Sequence, residues 1–178
     1  MRLSFFRLAL GFALAWTLAA LTLSPRASAQ FGANALGYSD VDFIKQLYQD
    51  VITSHKLAGL AVNNAKKSDV RQLAANVLES LRQAREQIKI LARKKGVEIS
   101  DELNPQNQGA VDKLSSASYD EVDKTYIDMT LNYLPKIQQE CRSTADGTQD
   151  PDLKAFLTSV IPSIESRLAA VQAVKANM

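Results

Sequence analysis

The amino-acid sequence predicts an all-α protein built as a four-helix bundle with a long crossover between the second and third helices. Apolar and small residues recur at alternating spacings of three and four in four separate stretches, as they do in helices that bury one face. Helix start and stop signals bound these stretches. The connection between the second and third stretches, residues 97–117, is long for a compact domain and could run the length of a bundle.

The first 29 residues have the composition of an export signal. Arg2 and Arg7 precede an uncharged apolar run from Leu8 to Leu23, and Ala27-Ser28-Ala29 offers the small-x-small pattern that signal peptidase cleaves. We therefore predict an exported protein that is cleaved before Gln30. A retained membrane anchor is the alternative, although the apolar run is slightly shorter than the ~20 residues of a full span.

A linker of small residues is expected over 30–38, followed by two helices over 39–67 and 68–95. Ser39 and Ser68 are the expected N-caps, and Gly96 should end the second helix behind its terminal lysines. The very short turn between the two helices predicts antiparallel neighbours. Their inward stripes are predicted to be Val41, Ile44, Tyr48, Val51, His55, Ala58, Val62 and Ala65, then Val70, Ala74, Val77, Leu81, Ala84, Ile88 and Leu91.

Two further helices are predicted in the second half of the chain. Ser118 and Glu121 form a capping-box pattern at the start of one. Asp150 followed by Pro151 opens the other, after a turn at 145–149. Their inward stripes are predicted to be Val122, Tyr126, Met129, Tyr133, Leu134, Ile137 and Cys141, then Leu153, Leu157, Val160, Ile164, Arg167, Val171 and Val174.

Between these two pairs, residues 97–117 contain only a weak helical turn, around Val111 to Leu114. Crossovers of this length are typical of ferritin-like bundles, so we expect a ferritin-like domain over 39–176. An up-and-down bundle with a loose loop is the alternative.

Charge and cysteine content exclude several classes of protein. The formal net charge of +2 falls by three, to −1, once the export segment is removed, because that segment carries three arginines and no acid. A near-neutral protein offers no basic surface for nucleic acid. One cysteine, Cys141, permits neither an internal disulfide nor a cysteine-rich metal site.

Three stretches resemble a known family. They are the run from Leu57 to Ala74, the segment Val122-Asp123-Lys124-Thr125-Tyr126-Ile127-Asp128-Met129, and Val160-Ile161-Pro162-Ser163-Ile164. Together they resemble a ferritin-like family of exported bacterial proteins, the domain of unknown function 4142, over most of residues 40–175. The resemblance implies a four-helix fold and a periplasmic or surface location, and it implies no settled activity.

The resemblance also implies polar positions inside the bundle that this chain has changed. Histidines of the family fall here at Leu81, Leu134 and Arg167, and a family glutamate falls near Ser54, beside His55. His55 is the chain's only histidine. Too few donors remain for a zinc or di-iron site, so we expect no metal and no cofactor.

Three side chains are candidates for a special role. His55 is either a hydrogen-bonded core histidine or a ligand contact. Arg167 is either an arginine whose stem packs while its head reaches solvent, or a clamp for an anion or carboxylate. Cys141 is either a buried thiol or the site of a disulfide to another chain.

No nucleophile with an adjacent base and no phosphate-binding glycine loop occurs in the sequence, so no catalytic residue is predicted. We expect a non-catalytic structural or binding protein in the periplasm or at the cell surface. The alternatives are an accessory subunit of a membrane complex, or a metal-dependent enzyme with unusual ligands. An unknown protein partner and a homodimer are left open, nucleic acid is excluded, and membrane attachment requires that residues 1–29 be retained.

Overall fold

Helix formation over the described chain follows the predicted pattern closely. A computed structural model describes residues 36–178, so the predicted signal segment and most of the predicted linker lie outside the described residues. Within 36–178 the chain forms five helices and no strand, which confirms the all-α class. These helices are α1 (Tyr38–Asn64), α2 (Ser68–Lys95), α3 (Pro105–Ser115), α4 (Val122–Gly147) and α5 (Pro151–Ala176).

The four long helices pack around one apolar core. α1 packs mainly against α2, α4 packs mainly against α5, and α1–α4 and α2–α5 contacts close the bundle. The largest fully buried side chains include Tyr48 from α1, Leu81 from α2, Tyr126 from α4 and Leu157 from α5. Each helix therefore contributes its apolar stripe to a shared interior.

The segment between α2 and α4 runs from one end of the bundle to the other. At its start Asp101 accepts a hydrogen bond from Tyr48 and pairs with Arg85 at 2.6 Å. At its end Asp123, in the first turn of α4, accepts hydrogen bonds from the backbone N–H groups of Lys66 and Lys67, in the α1–α2 turn. α2 and α4 consequently run in the same direction, as a crossover requires.

The weak helical turn expected in this segment is instead a full helix, α3, which packs on α1. Asn104 caps α3 by accepting a hydrogen bond from the backbone N–H of Asn107 at 2.8 Å, and Pro105 occupies the first turn. A cap residue followed by proline is a helix-start signal, so these two residues marked α3 in the sequence.

Some helix starts differ from the predicted ones. Neither Ser39 nor Ser68 caps a helix, since the N-cap residues are Gly37 and Lys67 and neither makes a side-chain cap. The predicted ends at Gly96 and Asp150 are confirmed: Gly96 has a φ of 66°, and Asp150 accepts from the backbone N–H of Leu153.

A buried ion pair joins α2 to α5 at the end of the bundle where α2 ends and α5 begins. The Lys95 ammonium lies 2.5 Å from Asp150 and 2.7 Å from Asp152, and the Lys95 side chain is only 5% exposed. The end of α2 is therefore fixed against the start of α5.

Candidate functional site

A cavity of about 280 Å³ lies between the long helices, near the middle of the bundle. It opens between α2 and α5, where Gln83, Gln87, Ser159 and Ser163 lie on its rim and are exposed. Its wall is largely apolar and is formed by Leu47, Val51, Leu81, Ala84, Ile88, Ile137, Phe156, Val160 and Ile164. An apolar cavity with a few polar groups is the usual form of a small-ligand site, and this volume is near the lower end of the ~300–1,000 Å³ range.

Arg167 is the cationic group of the cavity. Its guanidinium donates a hydrogen bond to Ser80 Oγ at 3.2 Å and forms no ion pair with any residue of 36–178. Burial lowers the pKa of Arg167, against a smaller opposing effect from Tyr126. An arginine remains charged in proteins, so a cation lies beside the cavity with only neutral hydrogen-bond partners.

Asp50 is the anionic group of the cavity. Its side chain is buried and accepts a hydrogen bond from Gln46 Nε2 at 3.0 Å, one turn earlier in α1. Burial raises the pKa of Asp50 to about 6, and the charge of Glu140 adds to the rise while the Gln46 bond opposes it. No cationic side chain within the described chain pairs with this carboxylate.

A second, much smaller space of about 20 Å³ adjoins the same arginine. Ser54 and Arg167 line both spaces, and Tyr126 and Leu134 line the smaller one. The Tyr126 hydroxyl is buried with no hydrogen-bond partner among residues 36–178, and burial raises the pKa of Tyr126 to about 12. Polar groups of the bundle centre therefore lie around Arg167 and at Asp50, within an otherwise largely apolar lining.

The positions singled out by the family resemblance lie around these two spaces. Leu81 lines the larger one, Leu134 the smaller one, and Ser54 and Arg167 line both. These four positions therefore form one layer of the bundle, with leucines at two of them.

His55 lies at the edge of this layer. It is partly exposed and lines neither of these two spaces, because the inward face of α1 is centred on Leu47, Val51, Ala58 and Ala61. Partial burial, and the nearby charge of Arg85, lower its pKa. The expectation that His55 lies in the core is wrong, although its stripe neighbours Val51 and Ala58 are buried, because His55 lies at the flank of the inward face.

Cys141 lies fully buried on the core face of α4. Burial raises the pKa of its thiol to about 12, with smaller contributions from the charges of Glu140 and Asp50. A disulfide to another chain would require the bundle to open, so the buried-thiol interpretation fits the structure better.

Between residues 36 and 178, no three histidine, cysteine, aspartate or glutamate side chains are grouped so that they could hold a metal ion. None of the helices in this part of the chain has the length and apolar character needed to cross a membrane.

Comparison with known families identifies the domain. Residues 25–174 match the domain of unknown function DUF4142, which is most of the chain. The chain belongs to the DUF4142 family. No curated protein matches it. The DUF4142 domain also shares its fold with the crystal structure of a DUF305 fragment from Deinococcus radiodurans, with a TM-score of 0.71 at 13% identity, over 81% of this chain and 99% of that one.

Sequence reasoning missed the anionic half of the DUF4142 cavity. Asp50 was placed on no predicted stripe, although Leu47, Val51, Ser54, Ala58 and Ala61 also recur at spacings of four and three. That alternative stripe places Ser54 on the inward face and Asp50 beside it. Ser80 carried no signal at all, because its role depends on the approach of α5.

Proposed function

We propose that this protein is an exported, non-catalytic, ferritin-like binding bundle of the periplasm or cell surface, whose ligand is a small carboxylate held in the cavity between α2 and α5. The observation that carries the proposal is the partly buried Arg167 guanidinium, which lines the cavity and lacks an acidic partner within residues 36–178.

The energetic argument rests on the cost of an unpaired buried charge. Removing an arginine from water is unfavourable unless an anion or several hydrogen bonds replace the lost hydration. Arg167 has the Ser80 hydroxyl as its hydrogen-bond acceptor and Tyr126 nearby. A guanidinium has five N–H donors in a planar fork that matches a carboxylate, so donors remain for a ligand.

The placement of Arg167 also fits a ligand that has one polar and one apolar end. Along α5, Phe156 and Arg167 lie about 16 Å apart at the usual helical rise. Both residues line the cavity, so its polar end lies at Arg167 and an apolar end lies at Phe156. A ligand with a carboxylate and a carbon skeleton would match both ends.

Calorimetry and thermal unfolding with butanoate, hexanoate and benzoate test this proposal. We expect at least one of these acids to bind and to raise the melting temperature, because a ligand of the folded state stabilises it. Arg167→Met should abolish binding and should itself raise the melting temperature of the ligand-free protein, since an apolar side chain replaces an unpaired buried charge. Arg82→Met is the matched control, because Arg82 is exposed and pairs with Glu79 at 2.7 Å. Absence of binding by these three acids and by amino acids alike, or unchanged binding in Arg167→Met, would contradict the proposal.

The proposal includes the absence of a resident transition metal. It is supported by Leu81 and Leu134, which stand where the resemblance places histidines and offer no donor atoms. Elemental analysis of protein purified without chelators should find well under one iron, zinc or copper per chain. A stoichiometric metal that is lost in His55→Ala would instead favour the metal-dependent enzyme.

A further inference from the structure

Two side chains of opposite charge, the buried Asp50 and the partly buried Arg167, line the same cavity, and neither has a counter-charge within residues 36–178. Asp50 on α1 accepts from the neutral amide of Gln46, and Arg167 on α5 donates to the neutral hydroxyl of Ser80. Both line the space between α2 and α5, yet they form no ion pair with each other or with any other residue of 36–178. The buried Lys95–Asp150 pair shows that the fold can bring opposite charges together elsewhere.

We propose that the ligand of this cavity is a zwitterion of the amino-acid class, whose carboxylate binds Arg167 and Ser80 and whose ammonium group binds Asp50. This inference rests on the function proposed above and adds a positively charged group to the proposed ligand. Such a ligand supplies the missing counter-charge to both side chains at once, and charge-assisted hydrogen bonds are stronger than neutral ones.

Other ligand classes leave one buried charge without a partner. A simple carboxylate pairs with Arg167 and leaves the Asp50 carboxylate facing an apolar carbon skeleton. A dicarboxylate adds a like charge beside Asp50, and an alkylamine leaves Arg167 unpaired. Each of these outcomes retains the cost of a buried uncompensated ion.

The size of the cavity limits the ligand to a small molecule. A volume of about 280 Å³ corresponds to roughly nine times the ~30 Å³ that a water molecule occupies in the liquid, so roughly nine non-hydrogen atoms fit. A six-carbon amino acid has about this many atoms. Its carbon skeleton would contact Phe156, Val160 and Ile164, which line the α5 side of the cavity.

Four six-carbon probes separate the contributions of the two charges. They are hexanoate, hexylamine, 2-aminohexanoate and 6-aminohexanoate, and calorimetry measures the affinity of the full mature protein for each at pH 7.5. We expect one of the two amino acids to bind at least about tenfold more tightly than both hexanoate and hexylamine, since a hydrogen bond between charged groups contributes this much or more. The preferred amino acid reports the spacing of the two charges.

The variant Asp50→Asn assigns the ammonium site. Asparagine has the same shape and keeps an acceptor for Gln46, so the fold should be retained, and circular dichroism checks this. The affinity for the preferred amino acid should fall about tenfold or more, whereas that for hexanoate should stay unchanged or rise. Asp42→Asn, at an exposed position of α1, is the matched control.

The outcomes separate this inference from the function on which it rests. Two results would each show that the ligand is not a zwitterion, while the carboxylate site would stand. Either hexanoate binds as tightly as both amino acids, or Asp50→Asn leaves the ratio of the amino-acid affinity to the hexanoate affinity unchanged. If the amino acids and hexanoate all fail to bind, or bind equally well to Arg167→Met, the carboxylate site itself is wrong.

Discussion

Asp50 and the partly buried Arg167 differ from three buried carboxylates of the bundle in what compensates them. Asp150 pairs with Lys95 at 2.5 Å, and Asp40 accepts a hydrogen bond from Thr148 Oγ1 at 2.8 Å. Asp123 accepts from two backbone N–H groups. These groups are satisfied inside the chain and stabilise the fold, whereas Asp50 and Arg167 retain capacity for a ligand.

At the residue scale, Asp50→Asn should stabilise the ligand-free protein, and more at pH 8 than at pH 4.5. The folded-state pKa of Asp50, about 6, lies above its usual value of 3.8. The cost to folding is therefore absent below about pH 4, grows as pH rises through the folded pKa, and is complete above it. A shift of this size corresponds to about 2–3 kcal/mol. Urea unfolding at both pH values measures the difference. An equal effect at the two pH values would contradict the assigned pKa, and Asp42→Asn should change little at either.

Cys141 should resist thiol reagents in the folded state. Its side chain is fully buried, so reagents cannot reach the sulfur. Its pKa is raised to about 12, so little of the reactive thiolate forms. Iodoacetamide at pH 8 should leave the native protein unmodified and should alkylate it rapidly in urea. Non-reducing electrophoresis of natively folded protein should show only monomer. A disulfide-linked dimer that Cys141→Ser removes would contradict the buried thiol.

At the scale of elements, side chains at both ends of the bundle bind the terminus of a different helix. Asp123 from α4 binds the turn between α1 and α2, and Lys95 from α2 binds the start of α5. The exposed amides at a helix start need acceptors, and here a carboxylate distant in sequence provides one. This arrangement fixes the levels of the helices relative to one another.

Asp123→Ala should destabilise the protein by about 2 kcal/mol, because two charge-assisted backbone hydrogen bonds and their acceptor are lost. Asp120→Ala is a matched control at the same end of the bundle. Asp120 pairs with the Lys66 side chain at 2.8 Å on an exposed surface, so its loss should destabilise the protein much less than the loss of Asp123. Chemical denaturation of both variants gives the comparison. Equal effects would show that the turn does not depend on Asp123.

At the scale of the whole molecule, the exported form should lack the first 29 residues. Trp16 is the chain's only tryptophan and lies in the predicted signal. Cleavage before Gln30 would therefore remove tryptophan fluorescence and leave tyrosine emission alone. Intact mass and emission spectra of protein purified from its native compartment measure both. Tryptophan emission with the full mass would favour the retained anchor and the accessory-subunit alternative.

Much of the fold was predictable because helices are encoded locally. The four long helices, the stop at Gly96 and the start at Asp150 depend on residues within one or two turns of each other. The placement of Arg167 beside a cavity followed in part from its position on a stripe. Helix α3 was missed although Asn104 and Pro105 marked its start.

The sequence by itself determined the helical class and the approximate extent of the long helices, because hydrophobic periodicity acts through neighbouring residues. The family followed separately, from the resemblance of three stretches. Tertiary structure alone decided that Asp50 lines the cavity whereas His55 lines neither space. It also decided that Asp123 caps a turn far away in sequence. Apolar residues at spacings of three and four define the rotation of a helix about its own axis only to within about one residue. Packing against the neighbouring helices fixes that rotation.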